Sequence, residues 1–295
     1  MSEKLFVTHR HISKFDISKP VVIRPFGDVH RDSPNCDVDR WREWLKYCEK
    51  TDTPQTFYIG MGDYLDFASE GERTKLKSDK IHGSTIDRFE RAIKRDVADL
   101  ASELSFMSGR LLGLIGGNHE WDFEDGTNAT QLLGKHLGCK YLGWLAYVRL
   151  SLTNKTTADN QRKGSLDLFV SHGRASGKLA GSPINSVDDM RRICNSADFY
   201  GMGHDHQKMV KEETSLHFPT SKCSDLIMTQ RQQYLFRSGA FLRSYMPNSK
   251  SYAISALYRP SSLGTVEFEV RFRTRKKSID GKNREIVRKE IKATS

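Results

Sequence analysis

With 295 residues, 37% of them hydrophobic and 10% aromatic, the chain can bury a full core as one large domain or two small ones. Mean hydropathy is -0.60, and no apolar run approaches the roughly 20 residues a membrane helix needs. The net charge of +10 is unevenly spread: residues 271–295 hold ten Lys or Arg against three acidic residues, a net +7, leaving +3 for the other 270.

Residues 1–9 contain no apolar stretch resembling a signal peptide, so the chain reads as cytoplasmic. Five widely spaced cysteines (Cys36, Cys48, Cys139, Cys194, Cys223), with no C-x-x-C pair, exclude a disulfide framework and a cysteine-ligated zinc module. Any metal is therefore held by oxygen and imidazole.

In chain order, residues 21–26 read as a buried strand ending at Gly27. A helix over 37–50 follows, with Trp41, Trp44, Leu45 and Cys48 at helical spacing, and the strands 57–59 and 111–115 end at further glycines. Between those two strands lies an insertion of about 67–109. Its polar part, 70–83, reads as a surface loop carrying Arg73, Lys75, Lys77 and Lys80. Its remainder, 84–108, repeats Ile86, Phe89, Ile93, Val97, Leu100 and Leu104 down one helical face, with Ser84 or Thr85 as N-cap. The second half is richer in strands: 147–152, 166–171, 199–203, 233–242, 252–258 and 266–272. His9 and His11 fall on an N-terminal strand or loop, and Trp41, Trp44 and Trp144 read as core. Residues 1–272 form the folded domain, and 273–295 read as a basic C-terminal tail, either a solvated charged face or a polyanion contact. This order implies an α/β (α+β) fold of two stacked sheets flanked by helices.

Five polar clusters punctuate this frame: Gly27-Asp28-Val29-His30, Gly62-Asp63-Tyr64-Leu65-Asp66, Gly117-Asn118-His119-Glu120, Ser171-His172-Gly173 and Gly203-His204-Asp205-His206. Each follows a strand-like run, where α/β proteins place their ligands. Singly, each has an ordinary alternative: a turn, a capping carboxylate, a hydrogen-bonded histidine or a surface metal binder. Together they supply seven carboxylate, amide and imidazole ligands, more than one tetrahedral ion needs and suited to two ions sharing a carboxylate. Such donors favour Mn²⁺, Fe, Zn²⁺ or Ni²⁺ over soft Cu(I). Two ions a few ångströms apart clamp a phosphoryl group and lower the pKa of a bridging water, whose hydroxide attacks phosphorus in line.

With these clusters in this order, the sequence resembles the calcineurin-like metallophosphoesterases, from Asp28 to His206 by motif and to about Phe272 by flanking strands. The resemblance implies two stacked mixed β-sheets with helices outside. It implies Asp28, His30 and His206 on a first metal, Asp63 bridging, and Asn118, His172 and His204 completing a second, with Mn²⁺ the expected ion and Mg²⁺ among the alternatives. It also implies His119 as the group that stabilises the transition state or protonates the leaving oxygen, oriented by Asp66.

Serine/threonine protein phosphatases of this family carry arginines where this chain has Phe67 and Gly116, and the two-histidine ending is similar to phosphodiesterase and nuclease branches. The expected activity is therefore a phosphodiesterase or nuclease acting on nucleotides or nucleic acid. A phosphomonoesterase with the same metals, or a non-catalytic scaffold of the same fold, is the alternative. Substrate contacts are expected from the 73–80 loop and from Arg174, Lys178 and Arg243.

Overall fold

The computed structural model describes residues 7–67, 70–76, 82–154, 163–217, 228–246, 254, 257, 259–279 and 282–295. In chain order the elements are β1 (Val7–Phe15), β2 (Val21–Phe26), α1 (Val38–Lys50), β3 (Thr56–Gly60), α2 (Glu70–Leu76), α3 (Gly83–Glu103), β4 (Leu111–Leu114), α4 (Ala129–Leu137), β5 (Leu145–Asn154) and β6 (Lys163–Ser171). There follow α5 (Ser182–Ile193), β7 (Phe199–Met202), β8 (Lys208–His217), β9 (Thr229–Ala240), β10 (Gly264–Thr265), β11 (Glu267–Ile279) and β12 (Lys282–Thr294).

Successive strand residues face opposite sides of a sheet, and here that alternation sorts the apolar side chains into separate cores. Val21 and Ile23 of β2, with Phe57 and Ile59 of β3, meet Leu168, Val170, Phe199 and Phe236 between two sheets. The intervening residues Phe26 and Tyr58 face the helical side, against Trp41 and Leu45 of α1, Val97 and Leu100 of α3 and Leu133 of α4. On the far side Phe169, Tyr200 and Leu235 pack on Val187 and Met190 of α5. The result is two mixed sheets of five strands (β12-β11-β2-β3-β4) and seven strands (β1-β5-β6-β7-β9-β10, with β8 on β9), stacked face to face with helices outside.

Several expectations shift. Asp37 caps α1, its carboxylate accepting from the Arg40 amide at 3.1 Å. Among the described residues the insertion is mostly helical: its supposed loop contains α2, with Lys77 and Lys80 outside the described residues, and α3 begins at a His82 cap rather than at Ser84 or Thr85. Trp144 is not core but 50% exposed, its ring edge-on to His172 at 6.1 Å. It precedes β5 at the sheet end where the polar clusters lie, so facing them outweighs its apolar context. The strand expected at 252–258 falls largely outside the described residues.

The stretch 273–295 is not a loose tail. β11 and β12 pair from Glu267↔Thr294 to Ile279↔Lys282, so the domain edge expected at 272 falls inside a strand. Ile291 and Ala293 of β12 pack against the inter-sheet core, Tyr234 donates its hydroxyl to the Ile291 carbonyl at 3.0 Å, and Lys289 Nζ meets the buried Asp198 carboxylate at 2.6 Å. β11 lies antiparallel to β2, with Phe268 beside Ile23 and Val270 beside Val21, so its basic distal half runs away from the Phe26 end.

Among the described residues no helix is long and apolar enough to cross a membrane.

Candidate metal centre

Asp28, Asp63 and Asn118 follow two to four residues after the ends of parallel strands β2, β3 and β4, and His172 and His204 follow one or two residues after the parallel pair β6 and β7. Backbone bonds tie these ends together: Asp28 N–H donates to Gly62 O at 2.9 Å, Gly203 N–H to His172 O at 3.0 Å and Phe241 N–H to Asp28 O at 3.0 Å.

Turning ligand side chains inward takes an unusual backbone. Among the described residues six non-glycine positions have positive φ, and five are Asp28 (47°), His30 (46°), Asp63 (49°), His204 (72°) and His206 (59°). Each costs on the order of 1–3 kcal/mol and persists because its surroundings fix it. Two glycines make room. A Cβ at Gly62, whose φ is +100°, would strike the His172 ring, and one at Gly117 would overlap the Asp63 carboxylate and amide.

The seven candidate ligands fall into two adjoining groups, and a third cluster that could also hold an ion joins His30 to Asp66 and His119. In one, Asp28, His30 and His206 offer atoms within 4.8 Å of one another, with His206 Nε2 3.7 Å from Asp28 Oδ1. In the other, His172 Nε2 lies 3.2 Å from Asp63 Oδ2 and 2.9 Å from Asn118 Oδ1, and His204 Nδ1 is 2.7 Å from that same amide oxygen. Asp63 Oδ2 is also 3.8 Å from His30 Nε2, so its carboxylate stands between the groups. His172 Nδ1 donates to the Met61 carbonyl at 2.8 Å, which leaves Nε2 as the ligating lone pair.

These residues fit divalent ions. His30 is only 2% exposed, yet neither ring nitrogen makes a hydrogen bond, an arrangement that is costly unless a Lewis acid meets them. The donors are oxygen and imidazole nitrogen, the set for hard to borderline cations.

Burial sets much of the local electrostatics. It holds the Asp28 carboxyl above the usual range. It pushes His206 down to about 3, helped by charge on His30, and His204 down to about 4, helped by His172. Both imidazoles are thereby kept in the neutral form that binds metal. For His172 burial also opposes the charged form, but the adjacent Asp63 carboxylate outweighs it and raises the group to about 9. Burial raises Glu120 to about 7, and its carboxyl accepts from the Gly117 amide.

His119 stands at the edge of the ligand groups. Its Nδ1 is 2.5 Å from Asp66 Oδ1, its Nε2 is 4.0 Å from Asp63 Oδ2, and its amide donates to Asp63 Oδ1 at 3.0 Å. The imidazoles of His119 and His30, 2.5 and 3.6 Å from its Oδ1, hold Asp66 well below the ordinary carboxylate range.

A cleft of about 690 Å³ opens beside these groups, walled by Lys178, Leu179, Met209, Leu242, Arg243 and Arg259 as well as by His30, Asp63, Asn118, His119 and His206. The three substrate candidates separate here. Lys178 and Arg243 line the cleft, but Arg243 already binds the Asp37 carboxylate at 2.8 Å. Arg174 turns to Asp189 at 3.0 Å and lines a neighbouring surface cavity instead. Arg73, on α2, donates to the Asn118 carbonyl at 2.8 Å, so the insertion touches the centre directly. Sequence reading missed Arg259, Asp205 and Arg237. Asp205 alone carried a signal, as the acid inside Gly-His-x-His.

The calcineurin-like phosphoesterase family model matches residues 25–237, a span that contains every ligand candidate and the strands from β3 to β8. The chain belongs to the calcineurin-like phosphoesterases. It is a metal-dependent phosphoric ester hydrolase of a family that works with two metals, and the clustered oxygen and imidazole donors are potential ligands for such ions. No curated protein matches the chain.

Proposed function

We propose that the chain is a phosphodiesterase that cleaves phosphate diesters of nucleotides or nucleic acid. The observation that carries this reading is the cleft: at about 690 Å³ it exceeds what a lone phosphate fills, and it joins an apolar wall (Leu179, Met209, Leu242) to cations (Lys178, Arg243, Arg259) beside the ligand cluster. A phosphate flanked by two organic groups, at least one of them apolar-faced, matches that lining.

Asp28, His30 and His206 would hold one ion, Asn118, His172 and His204 a second, and Asp63 both. Mn²⁺ is the expected ion for this oxygen and imidazole set, with Fe, Zn²⁺, Ni²⁺ and Mg²⁺ as alternatives. Divalent ions bound there supply Lewis acidity toward the phosphoryl oxygens and lower the pKa of water. His119, partly exposed toward the cleft, donates a proton from Nε2 to the leaving oxygen. Asp66, 2.5 Å from Nδ1, favours a proton on that nitrogen and so fixes which nitrogen faces the substrate. Lys178 and Arg259 draw the anionic ester in and orient its non-reacting part.

The test is a panel of mono- and diester chromogenic substrates and oligonucleotides, assayed with Mn²⁺, Ni²⁺, Zn²⁺ and Mg²⁺. Higher kcat/KM on diesters supports the reading. Preference for monoesters with equal access to the cleft replaces it with a phosphomonoesterase, and no metal-dependent turnover on either class leaves the scaffold.

A further inference from the structure

Arg237, on β9, is fully buried, a rare place for a guanidinium. Taking such a charge out of water costs several kcal/mol unless hydrogen bonds and an opposite charge offset it. Its Nη1 donates to the Gly203 carbonyl at 2.5 Å, its Nε to the Pro183 carbonyl at 3.0 Å, and its Nη2 to the Ser186 hydroxyl. Its counter-charge is Asp205, whose Oδ2 lies 3.3 Å from Nε.

Each contact falls on something that shapes the centre. Gly203 and Asp205 bracket His204, and Asp205 separates it from His206. Both histidines sit in the strained left-handed region, at φ 72° and 59°. His204 is held from the other side by its amide, which donates to both Asp28 carboxylate oxygens at 3.1 and 3.0 Å. Pro183 and Ser186 belong to the first turns of α5, immediately after the 174–181 segment whose Lys178 and Leu179 wall the cleft. One side chain therefore joins the turn that presents two imidazoles to the helix that ends the substrate wall. An apolar residue like its neighbours Leu235 and Phe236 would fill the space but hold none of these groups.

We propose that Arg237, paired with Asp205, is a positioning residue that forces the Gly203-His204-Asp205-His206 turn into ligand geometry. The proposal rests on reading His204 and His206 as metal ligands. Without the guanidinium the Gly203 carbonyl keeps only the Asp205 amide, at 3.0 Å, the left-handed turn loses its inner support, and the two imidazoles spread over several orientations.

The test compares the wild-type protein with Arg237→Lys and Asp205→Asn after metal stripping. Three quantities are measured: the melting temperature without metal, Mn²⁺ affinity and stoichiometry by calorimetry, and the Mn²⁺ electron paramagnetic resonance spectrum. A folded Arg237→Lys should bind Mn²⁺ about 10–100-fold more weakly and with a broadened signal. Asp205→Asn should show the same change to a smaller degree. A lowered melting temperature with wild-type Mn²⁺ affinity and spectrum in either folded variant overturns the proposal and makes Arg237 merely structural. If Arg237→Lys does not fold, Asp205→Asn decides by the same criterion. Wild-type protein that takes up no Mn²⁺ refutes the ligand assignment itself, a failure visible before any variant is made.

Discussion

His119 Nδ1 sits 2.5 Å from Asp66 Oδ1, while Nε2 of the same ring faces the cleft 4.0 Å from Asp63 Oδ2. A ring held this way can offer a proton in one direction only, the role proposed for it. Because His119 is not needed to complete either ligand group around Asp63, His119→Ala should retain its metal and lose turnover by about 10²–10⁴-fold. The loss should be largest on esters with poor leaving groups, where protonation matters most, and Asp66→Asn should show a smaller version of it. Metal content with kcat across a leaving-group series checks this. Wild-type kinetics on a poor leaving group would remove His119 from the reaction.

The Gly117 backbone packs directly on Asp63, so Gly117→Ala offers a steric route to the same carboxylate. The clash is with a backbone amide as well as the side chain, and neither can swing away. Overpacking of this kind costs about 1–3 kcal/mol, and the displaced Asp63 can no longer stand between both ligand groups. The variant is expected to melt lower and to bind fewer than the wild-type number of ions, measured by elemental analysis of the purified protein.

The site was legible in the sequence because its chemistry is written in residue types: glycine, carboxylate, amide and imidazole directly after short apolar runs. What escaped is set by partners distant in the chain. Nothing local marks Asp28 or His206 for positive φ, since that strain is imposed by contacts such as the His204 amide on Asp28. Arg174 reads as a phosphate clamp by adjacency to His172, yet Asp189 of α5 takes its charge. The strand at 266–272 was read from its alternating Phe268, Val270 and Phe272, but the basic stretch beyond it hid the apolar Ile291 and Ala293 of β12, and the Asp280-Gly281 pair between two runs is a hairpin signal that its charge obscured.

Proton balance gives a third expectation. In the metal-free protein His172, raised to about 9, carries a proton at neutral pH that metal binding must expel, and the raised Asp28 carboxyl acts in the same sense. A histidine whose folded pKa exceeds its unfolded value of about 6.5 adds stability below that value and loses it as pH rises through about 9. The metal-free protein should therefore become less stable between these limits. Metal affinity should rise over the same window, with protons released on binding. Calorimetric Mn²⁺ titrations in buffers of different ionisation enthalpy read the proton count, and a count of zero at pH 7 would contradict the assignment.

Asp198 anchors the last strand. Its buried carboxylate accepts from the Asp167 amide at 2.9 Å and pairs with Lys289 at 2.6 Å and Arg231 at 3.2 Å. Asp198→Ala leaves the amide and two cations without it. Because Lys289 and Arg231 are 30% and 22% exposed, water softens the cost to about 1–3 kcal/mol. Denaturant unfolding should give that loss, while Mn²⁺ affinity stays unchanged.

The hairpin's charge can be separated from the chemistry. Deleting residues 275–295 is a poor probe, because it strips β12 from β11 and uncovers core packing at Ile291 and Ala293. Charge reversal at one position is cleaner. Arg273 faces Arg288 across the hairpin and already pairs with Glu290 at 3.0 Å, so Arg288→Glu replaces a like charge with a second acidic neighbour, at a change of no more than about 0.2–1 kcal/mol. Since β11 runs away from the strand ends that carry the ligands, this variant should turn over a small chromogenic ester at the wild-type rate. If the hairpin also holds nucleic acid, the same change should weaken oligonucleotide binding and flatten its dependence on salt. Fluorescence anisotropy across a salt series separates the two roles: an unchanged slope makes the charge a solvated surface, and a shallower slope with intact ester turnover makes it a docking arm remote from the metals.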